Sequence, residues 1–137
     1  MKSNGEPGDG FSRSQRASFV DICTSKKAGR GSAFVDVTIV VPTHNRRPLL
    51  SAAIDAILQQ RDVSFEVVIV NDGSSDDTKP WLERLQAQDS RIRTVHHERA
   101  RRMSAARNAG IMRAAARWVA FCDDDDLWAP DKLARQL

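Results

Sequence analysis

Tyrosine is absent from this chain, and only 6% of its 137 residues are aromatic, so a packed core is feasible but rests on aliphatic side chains. Cysteine is scarce. Cys23 falls in a polar leader and Cys122 in an apolar run, which argues against a disulfide between them and gives neither metal-ligand spacing. A reducing compartment is consistent with that usage. No apolar stretch approaches the ~20 residues that span a bilayer, so no transmembrane segment is expected in this chain. The N-terminus lacks the apolar core of a secretory signal. A cytoplasmic location, including a peripheral one at the cytoplasmic face of the membrane, is the expectation that follows. Glycine is missing between Val35 and Asn71, which leaves no glycine-rich activating loop near the first strand and disfavours a nucleotidyltransferase.

The charge of +3 suggests nucleic-acid binding only until it is located. Residues 1–34 hold six Lys/Arg against three Asp/Glu, and residues 35–137 hold fifteen of each. The excess therefore belongs to the leader, and no nucleic-acid partner is expected. That leader carries five of the seven glycines and six serines without periodicity, and reads as disordered, with at most a transient helical turn over Ala17–Cys23.

From Val35 the pattern changes. Val37–Val41 is a β-branched run ended by Pro42, the mark of a strand covered on both faces. Pro48 opens a helix whose apolar face is Leu49, Leu50, Ala53, Ile54, Ile57 and Leu58. Phe65–Val70 is a second strand, and Thr78–Gln88 a helix with Pro80 in its first turn and Trp81, Leu82 and Leu85 inward. Ile92–His96, a helix over Ser104–Ala116 and a strand over Trp118–Cys122 complete the alternation. The fold class is α/β, with a mainly parallel open sheet and alternating helices over residues 35–137.

In such sheets ligands bind beyond the carboxyl ends of the strands. Every polar cluster lies at one of those ends: Pro42-Thr43-His44-Asn45-Arg46, Asn71-Asp72-Gly73-Ser74-Ser75, Arg99-Ala100-Arg101-Arg102, and Asp123-Asp124-Asp125-Asp126. The Asp72 carboxylate suits a nucleobase imide or amide N–H, or ribose hydroxyls; a turn aspartate bonding its own backbone is the alternative. Gly73 permits positive φ or close approach of a ligand. Ser74–Thr78 reads as loop-shaping and helix-capping sequence. Arginines at a helix start oppose the helix dipole, so Arg102 and Arg107 point to an anion, whereas Arg113 and Arg117 read as surface. Four adjacent carboxylates repel one another and call for a divalent cation, unless they form a solvated loop or a helix start. His44, His96 and His97 lack the spacing of a zinc pair, and oxygen ligands favour Mg²⁺ or Mn²⁺.

Four segments in order, Val40–Arg46, Val70–Thr78, Ala105–Gly110 and Phe121–Trp128, resemble glycosyltransferase family 2 over residues 36–137. The resemblance implies the Rossmann-like half of a GT-A fold, a nucleotide-diphosphate sugar donor, and transfer to an acceptor hydroxyl, inverting in most members. It implies that Pro42, Thr43, His44, Asn45 and Arg46 line the base pocket, that Asp72 bonds the base, and that Arg102 and Arg107 approach the nucleotide. Asp123 and Asp125 would frame the DxD-type metal element. Asp124 would bond ribose or share the metal, and Asp126 would be a ligand or a helix cap. Asn71 stands where a second aspartate is usual, and His44 where an aromatic is common. The family's general base lies beyond Leu137, so the chain reads as a donor-binding portion truncated at its C-terminus. The acceptor is open among polysaccharide, lipid-linked glycan and protein glycan. The competing reading is a non-catalytic nucleotide- or partner-binding fragment. A sheet edge or face left uncovered after the fourth strand would favour self-association.

Overall fold

The computed structural model describes residues 19–21 and 34–137. The rest of the leader, with the expectation of disorder attached to it, lies outside the described residues. In chain order the elements are β1 (Phe19–Asp21), β2 (Val37–Thr43), α1 (Arg47–Leu58), β3 (Phe65–Asp72), α2 (Thr78–Gln88), β4 (Ile92–His97), α3 (Met103–Arg113), β5 (Trp118–Phe121) and α4 (Lys132–Gln136). The sheet order is β1-β5-β2-β3-β4, parallel except for β1.

β2 and β3 are buried at every position, which is why both read as mostly apolar runs, interrupted only by Thr38 and Glu66 before their polar ends. Alternation along each strand then sorts the cover. Ile39, Val41, Val67 and Ile69 meet Leu50, Ile54, Ile57, Leu82 and Leu133 in the main core, which places α1, α2 and α4 on one face. Val40 packs with Ala114, and Val68 and Val70 pack with Ala106, which places α3 on the other. A Cβ at Gly110 would lie 2.3 Å from Val40 Cγ1, so the glycine lets α3 rest directly on β2.

Four expectations are corrected. β2 does not stop at Pro42 but runs on to Thr43. The Val40 carbonyl faces β5, accepting from Cys122 N at 3.1 Å, so Pro42, two residues on, faces the same side. The β2–β5 ladder has ended by then, at Val40 with Phe121, and no partner needs the missing N–H. Second, α3 ends at Arg113, three residues early. The amide of Ala115 donates to buried Glu66 Oε1 (2.7 Å), and that of Ala116 to Thr38 Oγ1 (3.2 Å). Thr38 Oγ1 in turn donates to Glu66 (2.6 Å), so a buried polar pair from β2 and β3 takes amides that would otherwise extend the helix. Third, Leu49 is exposed rather than inward. Fourth, Phe19–Asp21 is a strand and not a helical turn. It pairs antiparallel with β5, so among the described residues the edge strands of the sheet are β1 and β4.

Candidate functional site

The carboxyl ends of β2 to β5 form one rim, and two adjacent residues tie its halves together. Thr43 Oγ1 donates to Asp124 Oδ2 at 2.9 Å. His44 Nδ1 donates to the Asp72 carbonyl at 2.7 Å, which fixes the proton on Nδ1 because the carbonyl only accepts. The loops of β3 and β5 are thus held one residue apart along the end of β2.

Pro42 and Thr43 are buried, so only His44, Asn45 and Arg46 of that segment are exposed. Asn45 adopts positive φ (52°), a conformation asparagine tolerates. Its Oδ1 accepts from Ser75 N (2.7 Å) and Asp76 N (3.3 Å), and its own amide donates to Ser74 Oγ (2.9 Å). Asn45 therefore stitches the β2 and β3 loops together. Asp76 Oδ1 accepts from Thr78 N (3.0 Å), so the Ser74–Thr78 run shapes its loop, whereas Asp77, the N-cap residue of α2, makes no side-chain cap bond.

Asp72 is buried, and its carboxylate is the most heavily bonded group on the rim. Oδ1 accepts from His97 Nδ1 (2.8 Å) and Arg101 N (2.9 Å). Oδ2 accepts from Arg101 N and Arg102 N, both at 3.0 Å. Burial pushes its pKa up, but the His97 bond and the two backbone amides outweigh burial and hold it below the usual carboxylate value. Neighbouring Gly73 has φ 69°, and a Cβ there would lie 2.4 Å from Ala100 N. The close approach expected at this glycine is made by the Arg99–Ala100 backbone. Arg102 has φ 74° and ψ 168°, a region nearly reserved for glycine.

The aspartates are met by arginines. Asp123 pairs with Arg107 (3.2 Å), whose guanidinium also lies 5.5 Å from the centre of the Phe121 ring. Asp124 is buried and faces Arg46 at 3.4 Å; Asp125 is half-exposed and lies 3.7 Å from the same arginine. Burial raises the pKa of Asp124, offset in part by Thr43 and Arg46. Asp126 is raised by burial and by its neighbours Asp123 and Asp125. Its amide donates back to Asp123 O at 3.1 Å, closing a turn. The run is therefore a turn and not a helix start: α4 begins at Lys132 with Asp131 as its N-cap residue, which removes the helix-cap role for Asp126. Arg46, Arg107 and the nearby Lys132 against four carboxylates still leave the turn short of positive charge.

Among the described residues, no three His, Cys, Asp or Glu side chains are grouped to hold a metal ion. Asp123 and Asp125 offer half-exposed carboxylates at the rim. That donor set fits a hard cation taking one or two protein oxygens and its remaining ligands from phosphate and water. Arg113 and Arg117 are exposed on the surface, as expected. Two surface clefts, of about 420 and 500 Å³, lie away from the rim, near Gln86 and Arg93 and near Asp62 and Trp118.

Sequence reasoning missed two side chains. His97, the register partner of Asp72, was weighed only as a zinc ligand. Gln60 is buried, donating through Nε2 to Ala129 O (2.6 Å) and accepting from Leu133 N at Oε1 (3.0 Å). It ties the end of α1 to the segment after the aspartates. Neither carries a local signal, because both partners are distant in sequence.

A mainly parallel sheet with alternating helices, its strand-end loops gathered on one rim, is the architecture of the Rossmann-like half of a GT-A fold. The chain belongs to glycosyl transferase family 2, which it matches over residues 38–137. Among similar proteins, the Escherichia coli "UDP-Glc:alpha-D-GlcNAc-diphosphoundecaprenol beta-1,3-glucosyltransferase WfgD" is 36% identical over 74% of this chain and 39% of its own length. Rhizobium meliloti "Succinoglycan biosynthesis protein ExoO" is 40% identical over 74% of this chain and 29% of its own. The chain thus spans two fifths or less of these relatives. Among solved structures, a Pyrobaculum calidifontis mannosyltransferase in complex with GDP-Man and Mn²⁺ is 31% identical with TM-score 0.65, covering 75% of this chain and 31% of that one. S. aureus TarS shares the fold with TM-score 0.68 at 24% identity, covering 74% of this chain and 31% of that one.

Proposed function

We propose that this chain is the donor-binding part of a family 2 glycosyltransferase, holding a nucleotide-diphosphate sugar with Mn²⁺ or Mg²⁺ at the rim for transfer to an acceptor hydroxyl. The observation that carries the reading is the Thr43–His44 bridge between the Asp72 and Asp124 loops. It brings a base-type acceptor and a phosphate-and-metal-type cluster to one rim, as a nucleoside diphosphate requires.

Roles follow from exposure and charge. Asp72 accepts a base N–H, beside the exposed His44. Arg102 and Arg46 face phosphate oxygens with exposed guanidinium groups. Arg107 orients Asp123, Asp123 and Asp125 hold the cation, and Asp124 reaches ribose or shares the cation. Thr43 and Asn45 act on loop geometry, and Pro42 is buried just before the end of β2 at Thr43. The cation, when bound, offsets charge developing on the departing diphosphate. Attack by the acceptor hydroxyl on the anomeric carbon would invert that centre. No residue of this chain is assigned as the acceptor's general base, and the acceptor is open among polysaccharide, lipid-linked and protein glycans. Relatives support the donor class, since their names and ligands include UDP-Glc and GDP-Man with Mn²⁺. No helix among the described residues is long and apolar enough to cross a membrane.

Calorimetric titration of the folded chain with UDP and GDP, with and without Mn²⁺, tests the reading. Metal-dependent binding weakened more by Asp125→Ala than by Asp77→Ala supports it. Equal effects of the two variants would defeat the residue assignment, and no binding of either nucleotide would defeat the function.

A further inference from the structure

We propose that Lys132 is a positioning residue of the rim: its buried ammonium is the fixed counter-charge of the acidic turn, letting four carboxylates stand together before a divalent cation joins them. This rests on the donor-binding reading above and adds to it a residue that acts through Asp126.

Lysine is seldom buried unless its charge is answered. Lys132 is 4% exposed. It is the first residue of α4, where a positive charge opposes the helix dipole, so the helix does not account for it. Its backbone is pinned to the end of α1. Gln60 bonds Ala129 O and Leu133 N, Arg61 N donates to Pro130 O at 2.9 Å, and Lys132 N donates to Ala129 O at 3.0 Å. The side chain is held as well, with the ammonium 5.1 Å from the centre of the buried Trp128 ring.

Cys122 and Asp126 are the acidic groups that act on that ammonium. Burial pushes the Cys122 thiol far above its ordinary value, so it stays neutral near pH 7. The anion that Lys132 answers is therefore Asp126, which in turn feels Asp123 and Asp125. Arg46 and Arg107 pair with the same turn from its half-exposed side, where water and salt screen them. Lys132 is shielded from both, and burial keeps it in place whatever the arginines do. A fixed positive charge also repels a bare divalent cation. The cation is then held best when the donor's diphosphate adds negative charge of its own.

The test measures Mn²⁺ binding to the full chain by electron paramagnetic resonance at low ionic strength, with and without UDP. Wild type is compared with Lys132→Met, which keeps an unbranched stem and removes the charge, and thermal melts are run in EDTA and in Mn²⁺. One charge roughly 10 Å from a divalent cation changes its affinity about fourfold even at the dielectric of water. Lys132→Met should therefore bind bare Mn²⁺ about fourfold tighter or more, and UDP should add less to that affinity than it does in wild type. The variant should melt lower in EDTA, and Mn²⁺ should raise its melting temperature by about 3 °C more than it raises that of wild type. Unchanged or weaker binding of bare Mn²⁺ by the variant would overturn the inference and leave Lys132 a packing residue. Should Lys132→Met fail to fold, lysine Nζ spectra of wild type and Asp126→Asn decide. A Lys132 ammonium resonance that moves in Asp126→Asn supports the pairing, and one that does not move refutes it. Wild type taking up no Mn²⁺ even with UDP would instead refute the donor-binding reading beneath it.

Discussion

Replacing Arg102 by glycine should stabilise the protein while weakening its grip on phosphate. Arg102 sits at φ 74° and ψ 168°, where a Cβ is crowded and a non-glycine residue pays about 1–3 kcal/mol. The conformation persists because it turns the amides of Arg101 and Arg102 together onto Asp72, at 2.9–3.0 Å. Hydrogen bonds to a charged group contribute about 1.5–3 kcal/mol each, enough to outweigh the strain. Glycine keeps both amides and removes the crowding, but adds about 0.4–1 kcal/mol of unfolded-state entropy to be lost. The net expectation is stabilisation by about 0.5–2 kcal/mol, from the difference of those terms. Arg102→Ala is the control, since it discards the guanidinium but keeps the strain. Urea denaturation by linear extrapolation should rank glycine above alanine, with unchanged m. Calorimetry should show both variants binding UDP–Mn²⁺ more weakly and to the same degree, because the phosphate contact is assigned to the side chain. A glycine variant no more stable than the alanine variant would refute the strain argument.

Asp72→Asn should destabilise by about 2–4 kcal/mol at pH 7, since one oxygen is replaced by an amide facing N–H donors. Because the folded pKa of Asp72 is depressed, its contribution is present above the unfolded value near 3.9 and is lost as pH falls through the folded value. Urea midpoints measured from pH 7 to pH 2 should therefore fall less steeply in acid for the asparagine variant. Gln60→Leu removes partners of Ala129 O and Leu133 N in a buried site and should cost about 2–3 kcal/mol in the same assay. Cys122 is 1% exposed, and burial, with Asp126 and Asp123 nearby, pushes its thiol far above the ordinary value. Peptide-resolved iodoacetamide labelling at pH 8 should modify it only as fast as the chain unfolds.

The parallel core was readable because β2 and β3 are apolar over most of both faces and α2 is framed by its own proline and apolar spacing. The rim was readable because each polar cluster follows a strand, and strand order alone sends such clusters to one end. What escaped were pairings fixed only by tertiary register. Pro42 reads as a stop in isolation, and only the early end of the β2–β5 ladder shows why it is tolerated. The early end of α3 depends on Glu66 and Thr38, which lie far upstream. Phe19–Asp21 has no strand signal of its own and is ordered by the edge of β5. Asp72 was legible as an acceptor, but not the three donors that fill it, because two are backbone amides and the third is its cross-strand neighbour.

Paramagnetic relaxation by Mn²⁺ in the presence of UDP, read on assigned backbone amides of the full chain, tests the central claim most directly. Residues 43–46, 72–74, 101–107 and 123–126 should broaden together and recover in Asp125→Ala. Broadening centred on the opposite end of the sheet, around Asp36 and Asp62, would contradict a metal-assisted donor site at the carboxyl rim, as would uniform broadening that ignores UDP.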